Sequence, residues 1–151
     1  KAVELMKRLN VCKVIVGIES GDEKIRRMNG KPFSNQEILA AIKLLGKNKI
    51  KVTDCYVLGL MGETPESIKK TFDLSKKVDA LCERDETGWS VILPLPGSPI
   101  WKAMMLKPEL KEKYGESYEF NLQELREDYL NAFCHLNAES GEILESAGER
   151  I

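Results

Sequence analysis

Short apolar runs alternate with amphipathic stretches along the first two thirds of the chain. Residues 13–18, 51–59 and 89–93 are apolar and rich in β-branched side chains, and each run predicts a strand. The predicted strands begin at Lys13, Lys51 and Trp89, at even intervals of 38 residues. Strands that alternate with helices in this way favour parallel pairing through right-handed crossovers.

The stretches between the runs carry the periodicity and the caps of helices. Residues 2–9 present one apolar face, as an amphipathic helix does. Ser20 and Ser34 each begin an S-x-x-E sequence, which predicts a capping box and a helix start. Thr64 and Ser98 each precede a proline, an arrangement that predicts an N-cap followed by the first helical residue.

A different pattern begins at residue 107. Asn121 is a predicted N-cap, and apolar residues then recur at intervals of three and four up to residue 136. His135 lies at the end of this stripe, and no second metal ligand accompanies it at helical spacing. We therefore divide the chain into a βα region over residues 1–106 and a helical extension over residues 107–151.

Three βα units are too few to close a barrel, because the full TIM form needs about eight strands. The expected fold class is α/β, a partial TIM-type (βα) barrel of three parallel strands with helices, followed by the C-terminal helices. A doubly wound sheet is the alternative, since it has the same alternation of strands and helices.

Composition narrows the class of protein further. Of 151 residues, 23 are basic and 24 acidic, so no basic surface indicates a nucleic-acid partner. The apolar runs are too short to span a membrane, and the cytoplasm is the expected location. Lys1 is not a methionine and falls within the first amphipathic stretch, so we expect a piece of a longer protein.

The four cysteines are spaced too widely for a C-x-x-C metal motif. Cys12, Cys55, Cys82 and Cys134 are separated by gaps of 43, 27 and 52 residues. Cys12 and Cys55 lie at or in apolar strand segments and are predicted to be buried free thiols. The chain is expected to carry neither disulfides nor a metal site of its own.

Each predicted strand ends in a loop at the position where parallel βα folds bind their ligands. The loops are Gly-Ile-Glu-Ser-Gly at 17–21, Gly-Leu-Met-Gly-Glu-Thr at 59–64 and Pro-Leu-Pro-Gly-Ser-Pro at 94–99. Glu19 shares a strand face with Gly17 and Ile15, so its carboxylate is expected to face a ligand. Glu63 has a simpler interpretation, because a carboxylate just before a helix start is favourable without any ligand. Each loop by itself is also explained as a set of turn residues.

The ordered set of loops resembles the later half of radical S-adenosylmethionine (SAM) enzymes, over about residues 5–101. The resemblance is carried by Val-Gly-Ile-Glu-Ser-Gly at 16–21, Met-Asn-Gly-Lys at 28–31, Ile-Lys-Val at 50–52 and the loops at 59–64 and 94–99. It is greatest to the group that joins cobalamin-dependent radical SAM proteins, methylthiotransferases and Elp3-like proteins. Each segment alone is weakly specific, whereas the order and spacing of all of them identify the family.

The resemblance implies that this chain supplies strands four to six of a six-stranded partial barrel. In that family a 4Fe–4S cluster on a C-x-x-x-C-x-x-C loop chelates SAM, and reductive cleavage gives a 5′-deoxyadenosyl radical that abstracts hydrogen from a substrate. Glu19 and Ser20 match the end of strand four, which contacts the SAM ribose or methionine. Leu58 and Gly59 match the adenine-facing end of strand five. Pro94 matches the strand-six loop that completes the adenine pocket.

The chain departs from the family pattern in three ways. The cluster cysteines and the first three strands are missing, Met61 stands where proline is usual, and Asn29-Gly30-Lys31 reorders the usual lysine and glycine. We therefore expect the SAM and 4Fe–4S cofactors to belong to a parent protein, in which a cobalamin domain is also compatible with the pattern. The chain alone is expected to be inactive. Neither a catalytic residue nor a metal ligand is assigned to it.

Two other hypotheses remain at this stage. An aldolase-like (βα) barrel segment would never have had a cluster, but no lysine stands late in a predicted strand, where a Schiff base would form. A non-catalytic assembly module would use the open sheet edge and the apolar stripe at 122–136. The expected partner is the missing N-terminal half of the barrel. The isolated chain is expected to cover its exposed surfaces either with its own helix at 122–136 or with a second copy in a homodimer.

Overall fold

The computed structural model describes residues 1–116, 119–137 and 143 as an α/β fold with a three-stranded sheet. Its elements are, in chain order, α1 (Ala2–Arg8), β1 (Lys13–Glu19), α2 (Glu23–Met28), α3 (Asn35–Lys47), β2 (Lys51–Leu58), α4 (Pro65–Asp79), β3 (Arg84–Val91), α5 (Pro99–Met104), α6 (Pro108–Tyr114) and α7 (Leu122–Phe133). The predicted alternation of strands and helices is confirmed.

The three strands pair in parallel and in sequential order, as predicted. In the register, Gly17 of β1 lies opposite Cys55 of β2, and Cys55 lies opposite Gly88 of β3. The β1–β2 register shifts between Gly17 and Glu19. A bulge of this kind re-aims the side chain that follows it. The end of β1 is therefore set apart from the regular sheet.

The described helices cover only one side of β1 and β2. On that side the strands pack against α3 and α4 in a core of buried residues, namely Ile18, Ile38, Ile42, Leu45, Ile50, Val52, Tyr56, Leu74 and Val78. On the opposite side, which we call the open face, lie Ile15, Gly17, Cys55 and Gly88. Ile15 is 71% exposed there. A doubly wound sheet carries helices on both sides, so the partial (βα) barrel describes this fold better.

The third strand differs from its predicted position. β3 begins at Arg84 rather than Trp89, and it ends at Val91 rather than Leu93. The first half of β3, which the apolar pattern did not predict, is polar, and an ion pair holds it in the sheet. The Arg84 Nη2 donates to Asp54 Oδ2 of β2 at 3.0 Å, and Asp54 is fully buried. The strand starts are consequently not evenly spaced.

Most of the predicted helix caps are confirmed. Ser34 closes a capping box at the start of α3, and Thr64 caps α4 with proline as the first helical residue. Ser98 caps α5, and Asn121 caps α7 through the backbone N–H groups of its first turn. Local sequence was sufficient at these positions, because a cap needs only a short side chain beside free N–H groups.

The start of α2 was predicted wrongly. Asp22, and not Ser20, is the N-cap, and its carboxylate accepts the N–H groups of the first turn. The Ser20 hydroxyl accepts the Asp22 N–H at 3.2 Å and lies 3.3 Å from Thr71 Oγ1 of α4. The contact with Thr71 is distant in sequence, so the capping-box pattern could not show that the Ser20 hydroxyl is engaged elsewhere and that Asp22 is the cap.

The cysteines are free; the predicted burial is wrong for Cys12 and only partly confirmed for Cys55. Cys12 is exposed rather than buried, because it precedes β1 where the sheet does not cover it. Cys55 and Cys82 are half-buried, and Cys134 is buried.

The C-terminal helices form a second core beside the sheet. Its buried members are Met104, Leu110, Tyr114, Leu125, Tyr129 and Cys134. α7 ends at Phe133, so the apolar stripe outlasts the helix. The predicted helical extension over 107–151 includes residues 117–118, 138–142 and 144–151, which lie outside the described residues. In the part of the chain that is described, every helix is too short or too polar to cross a membrane.

Candidate ligand-binding site at the carboxyl ends of the strands

The end of β1 places the Glu19 side chain on the open face. Glu19 follows the bulge and has a φ of +69°, a left-handed conformation that is uncommon for residues other than glycine. A Cβ placed on Gly17 would lie 2.7 Å from Glu19 Oε1, so the carboxylate sits directly above Gly17. The Glu19 side chain keeps 22% of its surface exposed. A carboxylate in this setting can accept hydrogen bonds from a diol or an amine.

Lys31 reaches the same point from the loop between α2 and α3. Its ammonium donates to the Gly17 carbonyl oxygen at 3.2 Å and forms a short ion pair with Glu19. The loop itself is fastened by Arg26, which is 1% exposed and donates to the Phe33 carbonyl at 2.9 Å. The sequence pattern alone did not assign Lys31 to the site, because only the fold brings residue 31 back to the end of β1.

Ser20 points away from the open face. It is fully buried, and its hydroxyl is engaged by Asp22 and Thr71. Its carbonyl accepts the Arg26 guanidinium. The Ser20 side chain therefore ties the end of β1 to α4 and to the start of α2. At this position, only the backbone next to Ser20 could contact a ligand on the open face.

The end of β2 presents backbone rather than side chains. Leu58 is fully buried against Ile68 of α4 and Val91 of β3. Gly59 follows with a φ of +79°, and a Cβ there would meet Leu130 of α7 at 2.7 Å. Glycine is required at this position by both its backbone conformation and the close approach of α7. The turn after β2 is thus shaped by residues that are distant in sequence.

The Glu63 side chain stabilises the turn after β2 from its buried side. It is fully buried, and its carboxylate accepts the Gly59 N–H in a short hydrogen bond. Burial raises the pKa of the Glu63 carboxyl to about 7, against the opposing effect of the backbone N–H groups of Gly59 and Leu60. The helix-start interpretation of Glu63 is therefore incomplete, since the side chain turns inward and braces the loop.

The last residue of α7 and the two residues after it contact the turn after β2. Gly62 N donates to the Phe133 carbonyl at 2.9 Å, and His135 N donates to the Glu63 carbonyl at 2.9 Å. The Cys134 thiol lies 3.4 Å from the Gly59 carbonyl oxygen. Burial raises the pKa of this thiol to about 12. Cys134 is accordingly a neutral, structural thiol.

The loop after β3 completes this edge of the sheet. Pro94 is buried, Leu95 next to it is 51% exposed, and Gly97 turns the chain with a φ of +86°. Ser98 then starts α5. Among the five predicted ligand-contacting residues, Glu19 is the one with a partly exposed polar side chain. Leu58, Gly59 and Pro94 are all buried beneath this edge.

The described ranges contain no group of three or more His, Cys, Asp and Glu side chains arranged to hold a metal ion. Cys55 lies on the open face, Cys134 lies under the turn after β2, and Cys12 lies before β1. These thiols do not converge, so an iron–sulfur cluster does not fit the residues of this chain that the structure describes.

The fold and this edge define a class, namely (βα) barrel proteins whose ligands lie at the carboxyl ends of parallel strands. Residues 1–75 match the family model of the Radical SAM superfamily. The chain belongs to the radical SAM superfamily, whose members generally use SAM and a 4Fe–4S cluster. The recognition made from the loops is confirmed.

Three relatives from archaea support the assignment. An uncharacterized methyltransferase of Pyrococcus horikoshii is 28% identical over 102 residues, which is 68% of this chain and 21% of the relative. An uncharacterized protein of Methanocaldococcus jannaschii is 28% identical over 78 residues, or 52% of this chain and 15% of the relative. An uncharacterized protein of Methanopyrus kandleri is 39% identical over 64 residues, or 42% of this chain and 12% of the relative. The chain therefore spans about a fifth or less of these relatives.

Proposed function

We propose that this chain forms the later strands of a radical SAM barrel and supplies walls for SAM and substrate in a longer protein. The observation that carries the proposal is the Glu19 carboxylate, partly exposed on the open face at the end of β1. Radical SAM membership and the parallel order of the strands support it. The aldolase-like and assembly hypotheses lack comparable support.

Each strand end has a distinct task in this proposal. The Glu19 carboxylate accepts hydrogen bonds from the ribose hydroxyls or the amino group of SAM. The buried turn at Gly59, braced by Glu63, and the buried Pro94 shape the adenine side of the pocket from beneath. A 4Fe–4S cluster, for which the described residues of this chain provide no ligands, would supply the electron that cleaves SAM into methionine and a 5′-deoxyadenosyl radical. The chain's own residues bind and orient the nucleoside and shield it from water.

The cluster and its cysteines belong, in this proposal, to a segment that completes the barrel beyond the free edge of β1. The isolated chain then keeps only the nucleoside contacts, so it binds SAM weakly and has no activity. Micromolar SAM affinity of the isolated chain in calorimetry would contradict this assignment.

Methyl transfer is the reaction class that we would examine first. The relative from Pyrococcus horikoshii is named a methyltransferase, and its match covers 68% of this chain. Among the groups that the loops resemble, cobalamin-dependent proteins and methylthiotransferases also transfer methyl or methylthio groups.

The test is Glu19→Ala in the complete protein, reconstituted with its cluster. The variant should bind SAM more weakly and form less 5′-deoxyadenosine, because the carboxylate that orients the ligand is gone. Glu86→Ala is the matched control, since Glu86 pairs with Thr53 in the register and is exposed nearer the opposite end of the strands. If a well-folded Glu19→Ala protein matches the wild type in affinity and yield, Glu19 is not in the site.

A further inference from the structure

Two charged groups, the Glu19 carboxylate and the Lys31 ammonium, converge above Gly17 on the open face. A Cβ built on Gly17 would lie 2.7 Å from Glu19 Oε1 and 2.8 Å from Lys31 Nζ. The same ammonium donates to the Gly17 carbonyl at 3.2 Å. Carboxylate and ammonium together therefore occupy the volume that any other residue at position 17 would fill.

Gly17 provides space rather than backbone freedom. Its φ lies outside the left-handed region, unlike that of Gly30, Gly59, Gly62 and Gly97. The two atoms that an added Cβ would meet are the ends of long side chains, which can move without disturbing the strand. An alanine at this position should thus displace the Glu19–Lys31 pair and leave the fold intact.

Lys31 is held in place by a buried scaffold. Gly30 turns the chain with a φ of +88°, and Lys31 N then donates to the Arg26 carbonyl at 3.0 Å. Arg26, almost wholly buried, also donates to Asn35 Oδ1 at 2.8 Å. The start of the Lys31 side chain is thereby fixed relative to α2 and α3. Such anchoring lowers the entropic cost of holding a long side chain in one place.

We propose that Lys31 is a positioning residue for Glu19. The Lys31 ammonium, anchored on the Gly17 carbonyl, fixes the Glu19 carboxylate where the ligand needs it, and Gly17 leaves room for the pair. This inference rests on the proposed function, because it presumes that Glu19 contacts SAM. A charge-assisted hydrogen bond is suited to this task, since it is stronger and more directional than a neutral one.

The experiment uses the complete protein with its cluster. It compares wild type, Lys31→Met, Lys31→Arg and Gly17→Ala, with Glu19→Ala as the reference. Lys113→Met is the control, because it removes one positive charge and its two ion pairs, with Glu124 and Asp128, from α6 in the second core region. The measurements are the dissociation constant for S-adenosylhomocysteine, the KM for SAM, the rate of 5′-deoxyadenosine formation at saturating SAM, and the melting temperature.

We expect Lys31→Met to weaken S-adenosylhomocysteine binding and to raise the KM for SAM by on the order of tenfold. Losses of this size follow when the residue that orients a metal ligand is removed. The rate at saturating SAM should change little, because the lost interaction acts in binding. Lys31→Arg should restore most of the affinity. Gly17→Ala should reproduce the Lys31→Met defect without lowering the melting temperature, and Lys113→Met should resemble wild type.

The outcomes separate this inference from the proposed function. If Glu19→Ala impairs binding while Lys31→Met and Gly17→Ala bind as wild type does, Lys31 does not position Glu19 and the proposed function stands. If Lys31→Met binds S-adenosylhomocysteine weakly and Lys31→Arg restores none of the affinity, the positive charge of Lys31 has no positioning role. If Glu19→Ala itself binds normally, the role of Glu19 fails, and that of Lys31 fails with it.

Discussion

At the scale of single residues, Glu63 shows how burial changes the chemistry of a common side chain. Burial raises the pKa of its carboxyl from 4.5 to about 7. The folded protein therefore holds this proton more tightly than the unfolded chain does. The resulting stabilisation is fully present below about pH 4.5 and is lost as the pH rises through about 7. Across that window the loss is on the order of 3 kcal/mol.

Glu63→Gln should remove this pH dependence, because the amide stays neutral and can still accept the Gly59 N–H. Relative to wild type, the variant should gain about 2 kcal/mol or more in free energy of unfolding between pH 5 and pH 8. Urea denaturation at several pH values measures the difference. Glu66→Gln is the control, since it removes a carboxylate from an exposed position in the first turn of α4. A difference between Glu63→Gln and wild type that stays constant with pH would contradict the assignment.

The sequence predicted the site unevenly at this scale. Period-two alternation predicted that Glu19 shares a face with Gly17, and the carboxylate does lie above Gly17, but it is the bulge and the left-handed backbone of Glu19 that place it there. The inward turn of Glu63 was missed, since its loop is held by Phe133, which accepts the Gly62 N–H, and by His135, which donates to the Glu63 carbonyl, both far along the chain. The Lys31 contact was missed for the same reason. Neighbouring residues can indicate a turn, but they do not tell which distant segment covers it.

At the scale of elements, β3 shows why an apolar pattern can miss half of a strand. Its first residues are polar or small, and the partners of Arg84 lie on β2 and α4. Arg84 Nη2 donates to Asp54 Oδ2 at 3.0 Å and also lies 3.2 Å from Ser75 Oγ. β1 and β2 were predicted from the sequence because each contains a longer apolar run. The helix caps were likewise predicted where local groups alone complete them.

Asp54→Ala should be strongly destabilising, because it leaves the Arg84 guanidinium without its buried carboxylate. We expect a loss of about 3 kcal/mol in the free energy of unfolding. Replacing both partners by apolar residues, as in Asp54→Leu with Arg84→Met, should recover much of the loss, because no uncompensated charge remains. Asp85→Ala is the control, since Asp85 pairs with Lys13 at the surface. Equal effects of Asp54→Ala and Asp85→Ala in urea denaturation would refute the argument.

At the scale of the whole molecule, the described residues form a sheet with one side covered and one side open. β1 and β3 are the outer strands, and each has one edge without a paired strand among the described residues. α7 buries Leu125 and Tyr129 within the second core, while Ile15 on the open face stays 71% exposed. In the complete protein, we propose that further strands of the barrel cover these surfaces.

The isolated chain should hide the same surfaces by pairing with a second copy. Unpaired strand edges are templates for another chain, and large apolar patches seldom stay bare in water. Leu9, in the segment between α1 and β1, is also 76% exposed. A stable dimer should bury ~1,000 Å² or more. Light scattering on the isolated chain should report a dimer, and Ile15→Lys should shift it towards monomer by placing a charge on the open face. A monodisperse wild-type monomer would refute this prediction, because the open face would then remain stable in water.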